Sequence, residues 1–212
     1  MSEKNSPKTG SSTATTLRVV RYIVWAAIAV LVVAVGAISF MAWQGGGSSL
    51  QASTIGGPFS VVDQKGERVT EADLEGHPSM IFFGFTFCPD VCPTTLYETT
   101  QWMKQLGPDA DKLKVYFVTV DPERDTPEQM AAYLGAFDPR IVGLTGTRAE
   151  IDQMLKAYRV YSRKVPLDDG DYTMDHTASI YLLDRDARLT GTVDYKETQE
   201  TALAKIRRLI AG

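Results

Sequence analysis

Cys88 and Cys92 are the only two cysteines in 212 residues. They stand in Phe85-Thr86-Phe87-Cys88-Pro89-Asp90-Val91-Cys92-Pro93-Thr94-Thr95-Leu96. On a helix, a separation of four puts two side chains on one face about a turn apart. The apolar run Met80-Ile81-Phe82-Phe83-Gly84-Phe85 leads into the pair, and a helical pattern follows it. The spacing therefore predicts thiols where a buried strand ends and a helix begins. A helix N-terminus is an electropositive site that lowers thiol pKa values. Two thiols placed there serve thiolate chemistry, which means metal binding or redox exchange.

Metal binding needs further ligands, and the chain has two histidines, His77 and His176. Soft thiolates select Cu(I), zinc and iron–sulfur centres. A structural zinc site wants four ligands and an iron–sulfur cluster normally takes four cysteines. Two thiolates and one imidazole satisfy three-coordinate Cu(I), and the imidazole also lets Cu(II) be held. Copper thus suits this ligand inventory best. His176, in Met174-Asp175-His176-Thr177 before a late apolar strand, is the candidate third ligand. Asp175 is placed either to orient its ring or simply to face solvent. His77, before Pro78 in a loop, reads as structural.

Redox exchange needs only the thiols. Exchange enzymes typically separate them by two residues; here Pro89, Asp90 and Val91 intervene. A disulfide across four positions remains open. Asp90 opposes deprotonation of both thiols, and a bound cation offsets it. A peroxiredoxin-like peroxidase is a weaker third reading. The acidic turn Asp121-Pro122-Glu123-Arg124-Asp125 falls at a strand end, where it could contact a partner or tune the site; the plainer reading is a solvated turn plus a helix cap. Asp168, Asp169 and Asp171 read as a polar loop rather than as ligands.

The elements that must position these groups follow from the hydrophobic pattern. Residues 59–70 read as a hairpin, and 80–85 as a central strand covered on both faces. A helix is expected over 91–106, with Leu96, Trp102, Met103 and Leu106 inward and Gly107-Pro108 stopping it. A strand over 113–120 follows. Thr126 caps the next helix with Pro127 at its first position. Strand 141–144, a helix capped by Thr147, an extended segment over 160–165, strands over 178–184 and 189–193, and a closing helix over 197–211 complete the chain. Alternating strands and helices predict α/β architecture, a central mixed sheet flanked by helices. A cysteine pair at its first β–α junction is the thioredoxin-like arrangement, and strand ends are where α/β ligand sites fall.

Composition excludes other classes. Net charge is −4, with no basic stripe beyond the N-terminus, so no nucleic-acid partner is expected. Residues 22–43 carry no charge and are long enough to span a hydrocarbon core of about 30 Å. Tyr22, Trp25 and Trp43 mark the interfaces. Lys4, Lys8, Arg18 and Arg21 precede this stretch against Glu3. The expected plan is a disordered cytoplasmic segment over 1–21, a single-pass anchor over 22–43, a Gly/Ser tether over 44–54 and the thiol domain over 55–212 outside the membrane. A cleaved signal peptide is the alternative, with an apolar run longer than usual for one.

Three stretches together resemble the Sco/SenC family of membrane-anchored copper proteins: Phe83 to Pro93, Val118 to Pro127 and Asp175 to Asp184. The resemblance runs from about Phe59 to the C-terminus and implies a thioredoxin-like fold with Cys88, Cys92 and His176 as copper ligands. It further implies delivery of copper to, or reduction of cysteines in, the dinuclear copper site of cytochrome c oxidase subunit II or another copper acceptor. Within such a family some members transfer copper and others act as thiol reductants, which require a reducing partner of their own. The implied location is the inner membrane, with the domain in the periplasm or an equivalent space.

Overall fold

The computed structural model describes residues 21–36, 55–168 and 170–212. The chain divides into two compact units, Met1–Ala52 and Ser53–Gly212. In the first, helix α1 covers 21–36, with Tyr22, Trp25, Leu31 and Val33 exposed. Among the described residues no helix is long and apolar enough to cross a membrane. The expected polar segment up to residue 20, the end of the expected anchor at 37–43 and the tether at 44–54 lie outside the described residues, as does Asp169.

The second unit is built on a seven-stranded mixed sheet. Its strands are β1 (Ser60–Asp63), β2 (Arg68–Thr70), β3 (Ser79–Gly84), β4 (Lys114–Thr119), β5 (Ile141–Thr145), β8 (Ile180–Leu183) and β9 (Leu189–Val193), in the order β2-β1-β5-β4-β3-β8-β9. The apolar run predicted as a central strand is β3. All six of its residues are buried. It pairs in parallel with β4 and antiparallel with β8. That position explains its unbroken hydrophobicity, since both faces and both edges are covered.

Helices α2 (Val91–Leu106), α3 (Pro127–Leu134), α4 (Arg148–Ala157) and α5 (Gln199–Ala211) flank the sheet. α2 buries Leu96, Trp102, Met103 and Leu106 as the period required, and also Thr95, Thr99 and Thr100. The hydroxyls of Thr99 and Thr100 donate to carbonyls four residues back, at 2.8 and 2.9 Å, so these buried polar groups are satisfied within the helix. Thr126 accepts from the Gln129 amide with Pro127 at the first helical position, and Thr147 closes a reciprocal capping box with Glu150.

The extended segment expected over 160–165 is a strand, but its partner was unforeseen. The segment before β8 is a hairpin of its own, β6 (Ser162–Pro166) with β7 (Tyr172–His176). Among the described residues β6 and β7 pair with each other and with no strand of the central sheet. The Asp-rich turn hid the pairing. His176 therefore ends a strand; it does not sit in a loop.

Candidate metal centre

β3 ends at Gly84, and the chain turns through residues 85–90 before α2 begins. Asp90 is the N-cap and Cys92 lies in the first turn, fully buried, while Cys88 stands in the preceding loop, half-buried. The pair is not on one helix face, as a spacing of four suggested. Instead the Cys92 amide N–H points back at the Cys88 sulfur, 3.4 Å away. Cys88 takes over the acceptor role that the Asp90 side chain leaves open at this helix end.

This geometry separates the two thiols chemically. The Cys88 pKa is lowered to about 4, chiefly by a hydrogen bond from the Cys92 side chain, with further help from the Cys92 and Asp90 backbone; burial opposes these. Asp90 was expected to oppose ionisation, yet its backbone favours it. The Cys92 pKa is pushed up by its bond to Cys88, by burial and by the charge on Cys88. The structure shows both thiols free. Cys88 is thus the more readily ionised thiol, and Cys92 the one that keeps its proton longer.

His176 arrives from β7. Its Nδ1 lies 2.8 Å from the Thr177 carbonyl oxygen. A carbonyl only accepts, so in the neutral ring Nδ1 carries the proton and Nε2 keeps its lone pair. That Nε2 faces the Cys92 sulfur at 3.6 Å. The ring meets Phe85 edge-on, with centroids 5.8 Å apart and planes at 89°, and Phe82 at 6.3 Å. Orientation comes from Thr177 and these rings. Asp175, which might have oriented the imidazole, instead pairs with Arg163 at 3.0 Å on the exposed side of the hairpin. Solvent screens such an exposed pair, so it adds little.

One ligand atom each from Cys88, Cys92 and His176 lies within 4.8 Å of the others. Two sulfurs and one bare imidazole nitrogen at this separation could hold a single soft ion after small adjustments. The donor set and its unprotonated Nε2 fit copper. His77 does not join the group.

Sequence reasoning missed two features. Gly84 is one: a Cβ there would lie 2.6 Å from Phe117 Cε2 and 2.8 Å from Cys92 Sγ. Only a residue without a side chain lets Cys92 pack against the strand end, and a single Gly in an apolar run was the available signal. The acidic turn is the other, and the solvated reading of it is overturned. Asp121 and Asp125 are buried, at 1% and 0% exposure. The Asp125 carboxylate accepts from the Thr86 amide and hydroxyl at 3.1 and 2.7 Å and from the Thr119 hydroxyl at 2.6 Å. Burial raises its pKa and the two threonine hydroxyls pull it back. The turn thus braces the cysteine loop two residues before Cys88. The Thr126 cap was legible; the Thr86 partner is remote in sequence and was not. Asp168 is exposed and outside the ligand group; Asp171 pairs with Arg124 at 3.4 Å.

A mixed sheet with a thiol pair at its first β–α junction defines a thioredoxin-like protein, here with a histidine set against the pair. The chain belongs to the SCO1/SenC family, whose pattern matches residues 47–211. It is 47% identical over 138 residues to the human mitochondrial SCO1 homolog, covering 62% of this chain and 45% of that protein. The chain thus spans less than half of that relative. Copper-bound ScoI of Bradyrhizobium japonicum is similar in structure, with TM-score 0.69 and 54% identity over 73% of this chain and 99% of that one. Copper-bound yeast Sco1 matches with TM-score 0.69 and 36% identity over 75% of this chain and 90% of that one.

Proposed function

We propose that the protein binds copper through Cys88, Cys92 and His176 and passes it to an acceptor in cytochrome c oxidase assembly, the dinuclear copper site of subunit II being the expected target. The observation that carries this reading is the convergence of the three ligand atoms within 4.8 Å, with Nε2 free to donate its lone pair in the neutral ring whose Nδ1 bonds the Thr177 carbonyl. Copper-bound structures of two relatives support it. The ion is cargo, and the three side chains form its cradle. Copper must displace the proton held on Cys92, whereas Cys88 is ionised beforehand. The half-exposed Cys88 is the sulfur an acceptor thiol can reach first.

The apolar stretch over 22–43 would anchor the domain beside its acceptor, facing the periplasm or an equivalent space. Helix α1 with its exposed apolar side chains supports that placement. Loading the reduced protein with copper and mixing it with a copper-free acceptor domain tests the reading. Copper should move to the acceptor and the donor thiols should emerge reduced; copper that stays on the donor contradicts delivery.

The low pKa of Cys88 beside a buried, protonated Cys92 favours a second reading, reduction of a partner disulfide. The Cys88 thiolate would attack one partner sulfur, forming a mixed disulfide and releasing a partner thiolate. Cys92, giving up its proton, would then attack the Cys88 sulfur and release the second partner sulfur. Two electrons pass to the partner and a Cys88–Cys92 disulfide remains, to be reduced by an external thiol reductant. The Cys92→Ser protein should trap the mixed disulfide. His176→Ala in cells separates the readings, because exchange needs no imidazole whereas copper delivery does.

A further inference from the structure

The hairpin that carries His176 makes no backbone ladder with the central sheet among the described residues, so beyond the short link from His176 to β8 its place depends on side-chain contacts. The geometry points to Arg124 as the residue that does so. Arg124, in the turn after β4, clamps β7 against the cysteine loop and thereby positions His176 at the thiols. This rests on the copper reading above and adds a positioning residue to it.

The guanidinium is held from behind and grips in front. Its Nε donates to the buried Asp121 carboxylate at 2.6 Å. Its Nη1 donates to the Tyr172 carbonyl at 3.0 Å, at the opening of the strand that His176 closes. The guanidinium carbon lies 3.8 Å from the centre of the Tyr172 ring and 4.7 Å from that of Phe87, the residue before Cys88. One cation is thus stacked between a ring of the histidine hairpin and a ring of the cysteine loop. The Tyr172 hydroxyl closes the circuit by donating to Asp121 at 3.0 Å. Lys164 on β6 makes a second, exposed tie, 2.8 Å from Glu123 and 3.7 Å from the centre of the Tyr172 ring.

Asp125 grips the cysteine loop through Thr86, and Arg124, its neighbour, grips the hairpin through Tyr172. Both halves of the ligand set are therefore fastened to one turn. An arginine suits this task because its planar fork can stack and donate at once, which an ammonium cannot.

The test is a double-mutant cycle on the reduced full chain. Cu(II) affinity, the thiolate-to-copper charge-transfer band and the copper–nitrogen hyperfine signal are measured for wild type, Arg124→Ala, His176→Ala and the double variant. Amide exchange over residues 162–176 is measured without metal. Arg124→Ala should lower Cu(II) affinity about tenfold, the lower end of what supporting partners of a ligand contribute. It should weaken the nitrogen signal, speed exchange in the hairpin and cost nothing more once His176 is already alanine. Arg124→Lys should not rescue it. Equal losses in both backgrounds, or unchanged exchange and affinity, would overturn the proposal. Should Arg124→Ala not fold, Tyr172→Ala decides: it removes the ring stacked on the guanidinium and the hydroxyl bond to Asp121, and unchanged hairpin exchange and affinity in that variant would equally overturn the clamp. If wild type and His176→Ala bind Cu(II) alike, the ligand assignment fails by itself, and amide exchange alone then decides the clamp.

Discussion

At the scale of single residues, the site depends on an asymmetry between two sulfurs. Cys88 accepts from the Cys92 side chain and amide, and Cys92 holds its proton in return. Alkylation of Cys88 in the metal-free protein should follow its ionisation, with half-maximal rate near pH 4 and a plateau above. Cys92→Ala removes the largest cause of the shift, so the midpoint should move up toward the ordinary thiol range; a midpoint that stays put would dismiss the donor role of Cys92. Gly84→Ala places a methyl group against Phe117 and Cys92 Sγ. Overpacking of this kind costs about 1–3 kcal/mol, readable as a lowered denaturation midpoint together with weaker copper binding.

At the scale of elements, two segments that do not pair with each other, the β3–α2 junction and the β6–β7 hairpin, deliver the candidate ligands. The Thr86 to Asp125 bonds tie the loop to the turn after β4. Thr86→Val leaves a buried carboxylate oxygen short of a donor, a loss of about 1–3 kcal/mol. Thermal melts should show that loss, and Cys88 alkylation should no longer follow a single sharp midpoint. Repeating patterns made most elements legible before any coordinates: the buried β3, the four inward positions of α2, and the Thr126 and Thr147 caps. Of the hairpin only the extended segment over 160–165 was legible; its partner β7 was not, because it follows a polar turn and its placement depends on remote side chains. For the same reason the three candidate ligands could be picked out from their types, whereas Arg124, Asp125 and Gly84 could not. A buried Asp looks like a solvated one until Thr86 is seen beside it.

At the scale of the whole molecule, the Ser53–Gly212 unit contains the core and all three candidate ligands. A fragment starting at Ser53 should therefore bind copper as the full chain does. If 22–43 is the anchor, only the full chain should stay with the membrane fraction through alkaline extraction; full chain released to the supernatant would remove the anchor from the account. The central claim is the convergence of two sulfurs and one ring nitrogen on a single ion, and Cu(II) titration of the reduced protein beside its His176→Ala variant, followed by electron paramagnetic resonance, tests it most directly. The account predicts one equivalent bound with coupling to nitrogen in the wild type, and weaker binding without that coupling in the variant. Identical affinities and spectra for the two proteins would contradict it.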